Sequence, residues 1–140
     1  MKKLLVLKRN EKGQGLVEFA LVLPLLLLLL LGIIQFGIIF SSQIAITNAA
    51  REGARVAAVG ANNGEIRDRI NSSIGGHIFL PQLEDANIVY PASNLVEGDE
   101  VTVTISGVQL KLIVPVPDVF VPGSVIILSG QASMRLEQGP

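Results

Sequence analysis

The sequence predicts an α+β fold with a long N-terminal transmembrane α-helix, a short second helix and a small antiparallel sheet of about three strands. Two observations lead to this prediction. A basic leader is followed by a long apolar run, and several segments of the C-terminal half alternate between apolar and polar residues. A run of this length is typical of a transmembrane helix, and alternation is typical of a half-buried strand.

The chain of 140 residues is long enough for one modest domain. We divide it into a cytoplasmic basic leader, 1–13, a long helix, 14–60, and an extracytoplasmic α+β domain, 61–140. The helix is predicted to span the membrane at 19–40, because a bilayer core of about 30 Å requires about 20 helical residues.

The apolar run contains no charged or amide side chain from Phe19 to Ile34. Basic residues gather on the leader side, so the positive-inside rule places the N-terminus in the cytoplasm and the C-terminal domain outside. A cleaved secretory signal is the first alternative, but the run is longer than such signals have, and Thr47–Ala49 is a poor cleavage site. A plain signal-anchor is the second alternative. The basic leader residues are Lys2, Lys3, Lys8, Arg9 and Lys12.

A single carboxylate, Glu18, stands at the edge of the apolar run. A carboxylate near membrane depth is costly and usually has a partner. Alternatively, Glu18 lies at the interface, where the N-terminal end of a helix dipole favours an acidic residue. The residues around Glu18 help to distinguish these two interpretations.

The segment Gly13–Glu18 resembles the processing site of type IV prepilins, in which a glycine precedes the cleaved bond and a glutamate follows at the fifth mature position. The wider segment Gly15–Pro24 resembles the TadE-like family of pseudopilins, and Ala49–Arg55 is similar to that family's second recognisable segment. The resemblance implies cleavage after Gly13, which makes Gln14 the first mature residue.

This resemblance also implies a function and partners. The chain is expected to be a pilin or pseudopilin, a structural subunit of a tight-adherence type IV pilus involved in surface attachment. Its implied partners are a prepilin peptidase, other pilin or pseudopilin subunits, the inner-membrane pilus assembly platform and membrane lipid. Its implied location is the cytoplasmic membrane, as a single-pass protein, and the extracellular pilus after assembly. In such systems Glu18 would meet the N-terminal amine of a neighbouring subunit and fix its register.

Small residues recur every four positions along the outer part of the long helix, and this spacing allows close helix approach. The row packs either on neighbouring subunits or on the protein's own sheet, and both readings stay open. Pro24 removes a helix hydrogen bond, and the resemblance favours a packing role for it. The row consists of Ala45, Ala49, Gly53 and Ala57.

Three charged residues follow on the same helix. Arg51 and Arg55 lie one turn apart, and Arg55 is three residues after Glu52, which favours a local ion pair. The functional alternative is that these residues pair with a neighbouring subunit.

The C-terminal domain is predicted to start with a helix, Glu65–Ile74, capped by Asn63 and supported by pairing of Glu65 with Arg69. Gly75-Gly76 would end it. The predicted strands are Asn87–Tyr90, Val101–Ile105 and Val125–Leu136. Between the last two, the apolar segment 110–123 carries three prolines and is expected to be an edge or a loop that packs partly.

The sequence contains no pattern of an enzyme, a metal site or a cofactor site. His77 is the only histidine and cysteine is absent, so neither a histidine-based triad nor a multi-histidine metal site fits. The acidic pairs Glu84-Asp85 and Glu97/Asp99/Glu100 lack the spacing of a calcium loop. The formal net charge is −1, and no basic patch predicts nucleic-acid binding. The main alternative function is a membrane-anchored binding module that is not assembled into a filament, and an anchored enzyme is the weakest candidate.

Overall fold

The structure is a computed structural model that describes residues 11–92, 96–113 and 122–137. Most of the predicted leader and the central part of the predicted loop 110–123 lie outside the described residues. Two α-helices precede three strands, which form one antiparallel sheet in the order β1-β2-β3. The predicted α+β class is confirmed. The elements are α1 (Glu11–Ala57), α2 (Asn63–Ile74), β1 (Ile88–Val89), β2 (Glu100–Lys111) and β3 (Val125–Arg135), with single 3₁₀ turns at Asp85–Asn87 and Pro122–Ser124.

The chain forms two compact units, of which the first ends at Ile34 and the second begins at Gln35. The described part of the first unit lies in α1, and its large apolar side chains from Leu16 to Ile34 are exposed. By length and composition, α1 is able to cross a membrane. A helix satisfies its own backbone hydrogen bonds, so this apolar surface is compatible with lipid.

The second unit has one hydrophobic core, which lies between the helices and one face of the sheet. Ala49, Ala50 and Ala54 of α1 are fully buried in it. α2 contributes an isoleucine stripe at helical spacing, and β2 contributes every second residue, as the sequence predicted. These side chains are Ile66, Ile70 and Ile74 of α2 and Val101, Val103 and Ile105 of β2.

Two glycines allow close contact within this core. A Cβ atom on Gly53 would lie 2.8 Å from Cδ1 of Ile70, and one on Gly130 would lie 2.9 Å from Cγ2 and 3.1 Å from the carbonyl oxygen of Ile46. α1 therefore packs against α2 at Gly53 and against β3 at Gly130 at distances that any larger residue would increase.

The described part of α1 differs from the prediction at both ends. Glu11, the first described residue, is already helical, so α1 includes residues 11–13 that the prediction assigned to the leader. It ends at Ala57, and a turn follows in which Gly60 has φ +85°. This left-handed conformation explains the glycine at this position.

β2 is longer than predicted and continues to Lys111. Its register against β3 shifts between Ile105 and Val108, and Gly107 in the shift has φ +70°. A bulge of this kind inserts unpaired backbone and interrupts the alternation of side chains. The sequence prediction ended at Ile105 because the alternation breaks there.

The first turn of α2 differs from the prediction in two respects. Asn62, not Asn63, is the N-cap, since its side chain accepts a hydrogen bond from the Glu65 backbone N–H at 3.0 Å. The Glu65 carboxylate accepts the Asn62 N–H, also at 3.0 Å. This capping box occupies Glu65, and Arg69 binds Glu52 instead. The predicted Glu65–Arg69 pair is therefore wrong.

Candidate processing and assembly site

The candidate site occupies the first described turns of α1. Gly13, Gln14 and Glu18 are all exposed, and no atom lies within 4 Å of the position that a Cβ on Gly13 would take. The Gln14 side-chain amide donates a hydrogen bond to the Glu18 carboxylate at 3.1 Å. These residues are one helical turn apart, so the bond is a local helix contact.

The peptide bond between Gly13 and Gln14 lies inside the helix rather than before it. Each glycine in a helix costs roughly 1 kcal/mol relative to alanine. With Gly13 and Gly15 on either side of Gln14, this turn is the weakest of the described N-terminal part of α1. A peptidase that needs an extended substrate would therefore open the helix most readily here.

Glu18 carries the one negative charge of the apolar segment that follows Gly13. Within the part of the chain that the structure describes, no cation lies at ion-pair distance from it, and its bond comes from the neutral Gln14 amide. A carboxylate beside apolar surface is costly unless a charge or a strong donor meets it. The geometry therefore leaves Glu18 available for a cation supplied by another molecule.

Pro24 lies within α1, and the helix is continuous through it. The residue is exposed, as are the leucines on both sides of it. Proline has no backbone N–H to donate, and its ring clashes with the carbonyl group four residues earlier, so one helix hydrogen bond is lost. The predicted packing role of Pro24 stays a prediction.

A comparison with protein families gives one match. A family model described as TadE-like protein matches residues 13–55. This segment is TadE-like. The resemblance predicted from the sequence is confirmed over this range. No match was found among curated proteins or among solved structures.

The TadE-like segment begins at Gly13 and ends at Arg55. It includes the candidate processing bond, Glu18, Pro24 and most of α1, whereas α2 and the sheet lie beyond it. The TadE-like match suggests a Tad pilus-associated protein and gives no indication of catalysis. It also agrees with membrane anchoring through α1.

The row of small residues lies in the chain's own core. Ala45, Ala49, Gly53 and Ala57 are all buried, and Gly53 faces Ile70 of α2. Of the two readings that the sequence left open, packing on the protein's own domain describes these four residues. A neighbouring subunit would have to use other faces of α1.

Among the charged residues of the segment Ala49–Arg55, Glu52 is joined to α2. The Glu52 carboxylate binds Arg69 at 2.8 Å and Arg55 at 3.1 Å, so the local Glu52–Arg55 pair is present. The hydrogen bonds from Arg69 and then Arg55 lower the pKa of Glu52 below its ordinary value of 4.5. Arg51 is exposed. Its pairing with a neighbouring subunit stays a prediction.

Gln35 has a structural role that the sequence analysis missed. The residue is 7 % exposed, and its side-chain amide oxygen, Oε1, accepts a hydrogen bond from the Ile113 backbone N–H at 2.8 Å. Gln35 thus ties the end of β2 to α1. A signal was available, because Gln35 is the only amide or charged residue between Phe19 and Phe40, but its partner is 78 residues away.

The other acidic residues bind neighbours within the domain. Asp85 accepts hydrogen bonds from Arg67 and from the Tyr90 hydroxyl, and Asp99 accepts the Val96 backbone N–H. Burial, together with the bond to Asp85, raises the pKa of Tyr90 to about 12. Among the described residues, no group of three or more acidic, histidine or cysteine side chains is arranged for a metal ion. His77 lies in a loop, as predicted.

Proposed function

We propose that this chain is a pilin-like subunit of a tight-adherence pilus. It is inserted in the cytoplasmic membrane with its N-terminus inside, cut after Gly13 by a prepilin peptidase, and then assembled with other pilin or pseudopilin subunits. The observation that carries the proposal is the TadE-like match over 13–55, which contains the Gly13–Gln14 bond and Glu18 at the required spacing.

The exposed apolar surface of α1 supports this proposal. From Leu16 to Ile34 its large side chains are exposed in the described part of the chain, and burying one such side chain contributes about 1.5–3 kcal/mol. Lipid provides this cover in the membrane, and the helices of other subunits provide it in a filament. An apolar helix with a free surface therefore fits both states of the proposed cycle.

Cleavage after Gly13 supplies a cation, which Glu18 lacks among the residues that the structure describes. The new α-amino group of Gln14 is positively charged at neutral pH, because its ordinary pKa is about 8. In a low-dielectric setting each charge carries a desolvation cost that the pair offsets only in good geometry. The Glu18–amine pair between subunits therefore fixes register more than it adds affinity.

The mass of the mature protein tests processing. We expect the protein isolated from its native cell membrane to begin at Gln14 and lack residues 1–13. Gly13→Leu changes the residue that carries the cleaved carbonyl and leaves the rest of the leader intact, so this variant should keep the precursor mass. Gly76→Ala is the matched control, because it changes a glycine remote from the bond, and nothing lies within 4 Å of its Cβ position.

Two outcomes would contradict the proposal. Retention of Met1 in protein recovered from cells that carry assembled pili would favour the membrane-anchored binding module, which keeps its N-terminus. A start near Ala50 would favour a cleaved secretory signal. Either result removes the pilin-like role, since that role depends on release of the leader.

A further inference from the structure

The domain begins directly after the apolar part of α1. Ile34 ends the first compact unit, and Gln35, which follows it directly in the chain and is buried, starts the second. Counting about 20 residues back from Ile34, the number that crosses a bilayer core of about 30 Å, reaches Gly15. The span predicted from the sequence, 19–40, instead overlaps the domain.

Gln35 marks one end of the domain, and β2 finishes beside it. The Ile113 backbone N–H donates to the Gln35 side chain at 2.8 Å, and Leu112 is buried. Ile113 itself is 54 % exposed, and Phe36 next to Gln35 is 63 % exposed. This end of the domain therefore presents large apolar side chains beside Gln35.

The charges of the domain are arranged unequally between its two ends. In the described segments 35–50, 101–113 and 122–134, Lys111 is the only charged residue, and its side chain is exposed. Lysine beside apolar residues is common at membrane interfaces, where the carbon stem lies on apolar surface and the ammonium reaches the phosphates.

The opposite end of the domain is acidic. The Glu137 N–H donates to the Ala58 carbonyl at 3.0 Å, which places Glu137 beside the end of α1. Glu100 is paired with Arg135 in the ladder at this end, and the turn before β2 is held to Leu136 through Gly98. The acidic residues here are Glu97, Asp99, Glu100 and Glu137, and they outnumber the arginines Arg55 and Arg135.

We propose that the end of the domain formed by Gln35, Phe36, Lys111 and Ile113 rests in the interfacial layer of the phospholipid bilayer, with Ile113 among the lipids. The inference depends on the membrane anchoring in the proposed function. Three observations carry it. Gln35, the first residue of the second unit, directly follows Ile34 in the chain, exposed apolar side chains lie beside it, and in the described segments at this end Lys111 is the one charged residue, whereas acidic residues gather at the other end. Gln35 then acts as the tie that holds the end of β2 at the membrane surface.

Cysteine labelling tests this orientation, since the chain has no cysteine of its own. Ile113→Cys is labelled with an environment-sensitive fluorophore in the full-length chain, reconstituted in vesicles of phosphatidylethanolamine and phosphatidylglycerol. Val59→Cys is the matched control, because Val59 is an aliphatic residue with 55 % exposure in the turn just after α1, whose last residue, Ala57, lies roughly 33 Å from Gln35 at 1.5 Å per residue. Leu25→Cys reports membrane insertion.

We expect nitroxide-labelled lipid to quench the fluorophore at position 113 several-fold more than the one at 59, and aqueous iodide to show the reverse order. Adding Lys111→Glu should reduce lipid quenching at 113. If position 25 is quenched by lipid but position 113 behaves like 59, anchoring stands and the proposed bilayer contact is overturned. If position 25 is not quenched by lipid either, membrane anchoring itself fails, and the proposed function fails with it.

Discussion

At the scale of single residues, glycine sets how closely the elements of the domain approach. Gly130 on β3 faces the backbone of α1 at Ile46. Backbone atoms inside a helix cannot move aside individually, whereas the end of a side chain such as Cδ1 of Ile70 is able to rotate. Gly130 is therefore the more demanding of the two close contacts.

Gly130→Ala should destabilise the domain by about 1–3 kcal/mol, because the added methyl group would lie 2.9 Å from Ile46 Cγ2 and 3.1 Å from its carbonyl oxygen. Hydrogen exchange of the β3 amides in the full-length chain, followed by mass spectrometry, measures this loss. Gly76→Ala is the control, since nothing lies within 4 Å of its Cβ position, and its effect should stay within about 0.5 kcal/mol. Equal exchange in the two variants would show that α1 and β3 are not in close contact.

At the scale of secondary-structure elements, α2 depends on its first turn and on α1. Its N-terminus is held by the capping box between Asn62 and Glu65, and its middle is joined to α1 through Arg69 and Glu52. The exposed Glu52–Arg69 pair contributes little to stability, at most about 1 kcal/mol. The cap and the buried isoleucines therefore account for most of the order in this short helix.

Asn62→Ala should destabilise α2 by about 1 kcal/mol, because it removes the side-chain acceptor of the Glu65 N–H and half of the capping box. Hydrogen exchange over Asn63–Ile74 measures the effect. Asn63→Ala is the matched control, an exposed neighbouring asparagine at which the loss should be much smaller. A larger loss of stability in Asn63→Ala would mean that Asn63 is the N-cap, as predicted from the sequence.

The same helix shows which contacts a sequence reveals. The isoleucine stripe of α2 and the alternation of β2 and β3 follow from local periodicity, and both were predicted correctly. The cap was also within reach, because Asn62 and Glu65 have the spacing of a capping box. The partner of Arg69 was not, since Glu52 lies 17 residues away on another helix, and local spacing instead suggested Glu65.

At the scale of the whole molecule, periodicity and apolar length were sufficient for the fold class, but not for the contact between α1 and the end of β2. The hydrogen bond from Ile113 to Gln35 connects positions 78 residues apart, and no local sequence pattern predicts it. The candidate site was found in another way. Gly13, Gln14 and Glu18 form no buried cluster, so only their resemblance to a prepilin site singled them out.

Assembly gives the prediction that belongs to the whole molecule. Glu18→Ala and Glu18→Gln should leave membrane insertion and cleavage after Gly13 intact, because they preserve the leader, the glycine and the apolar run. Both should reduce incorporation into pili, since the N-terminal amine of a neighbouring subunit would then lie unpaired against apolar surface. Removing one partner of a buried ion pair costs about 3–5 kcal/mol, so we expect incorporation to fall by about a hundredfold or more. Comparing the protein in sheared filaments with the protein in membranes measures this ratio.

The control for Glu18 is Glu97→Ala, which removes an exposed glutamate from the turn before β2 and should incorporate normally. The glutamine variant separates charge from shape, because its amide still accepts a hydrogen bond but cannot neutralise an amine. If glutamine restored incorporation while alanine did not, hydrogen bonding rather than charge would set the register. Normal incorporation of the alanine variant would mean that Glu18 has no part in assembly, and its position at the start of α1 would then reflect only the preference of a helix N-terminus for an acidic residue.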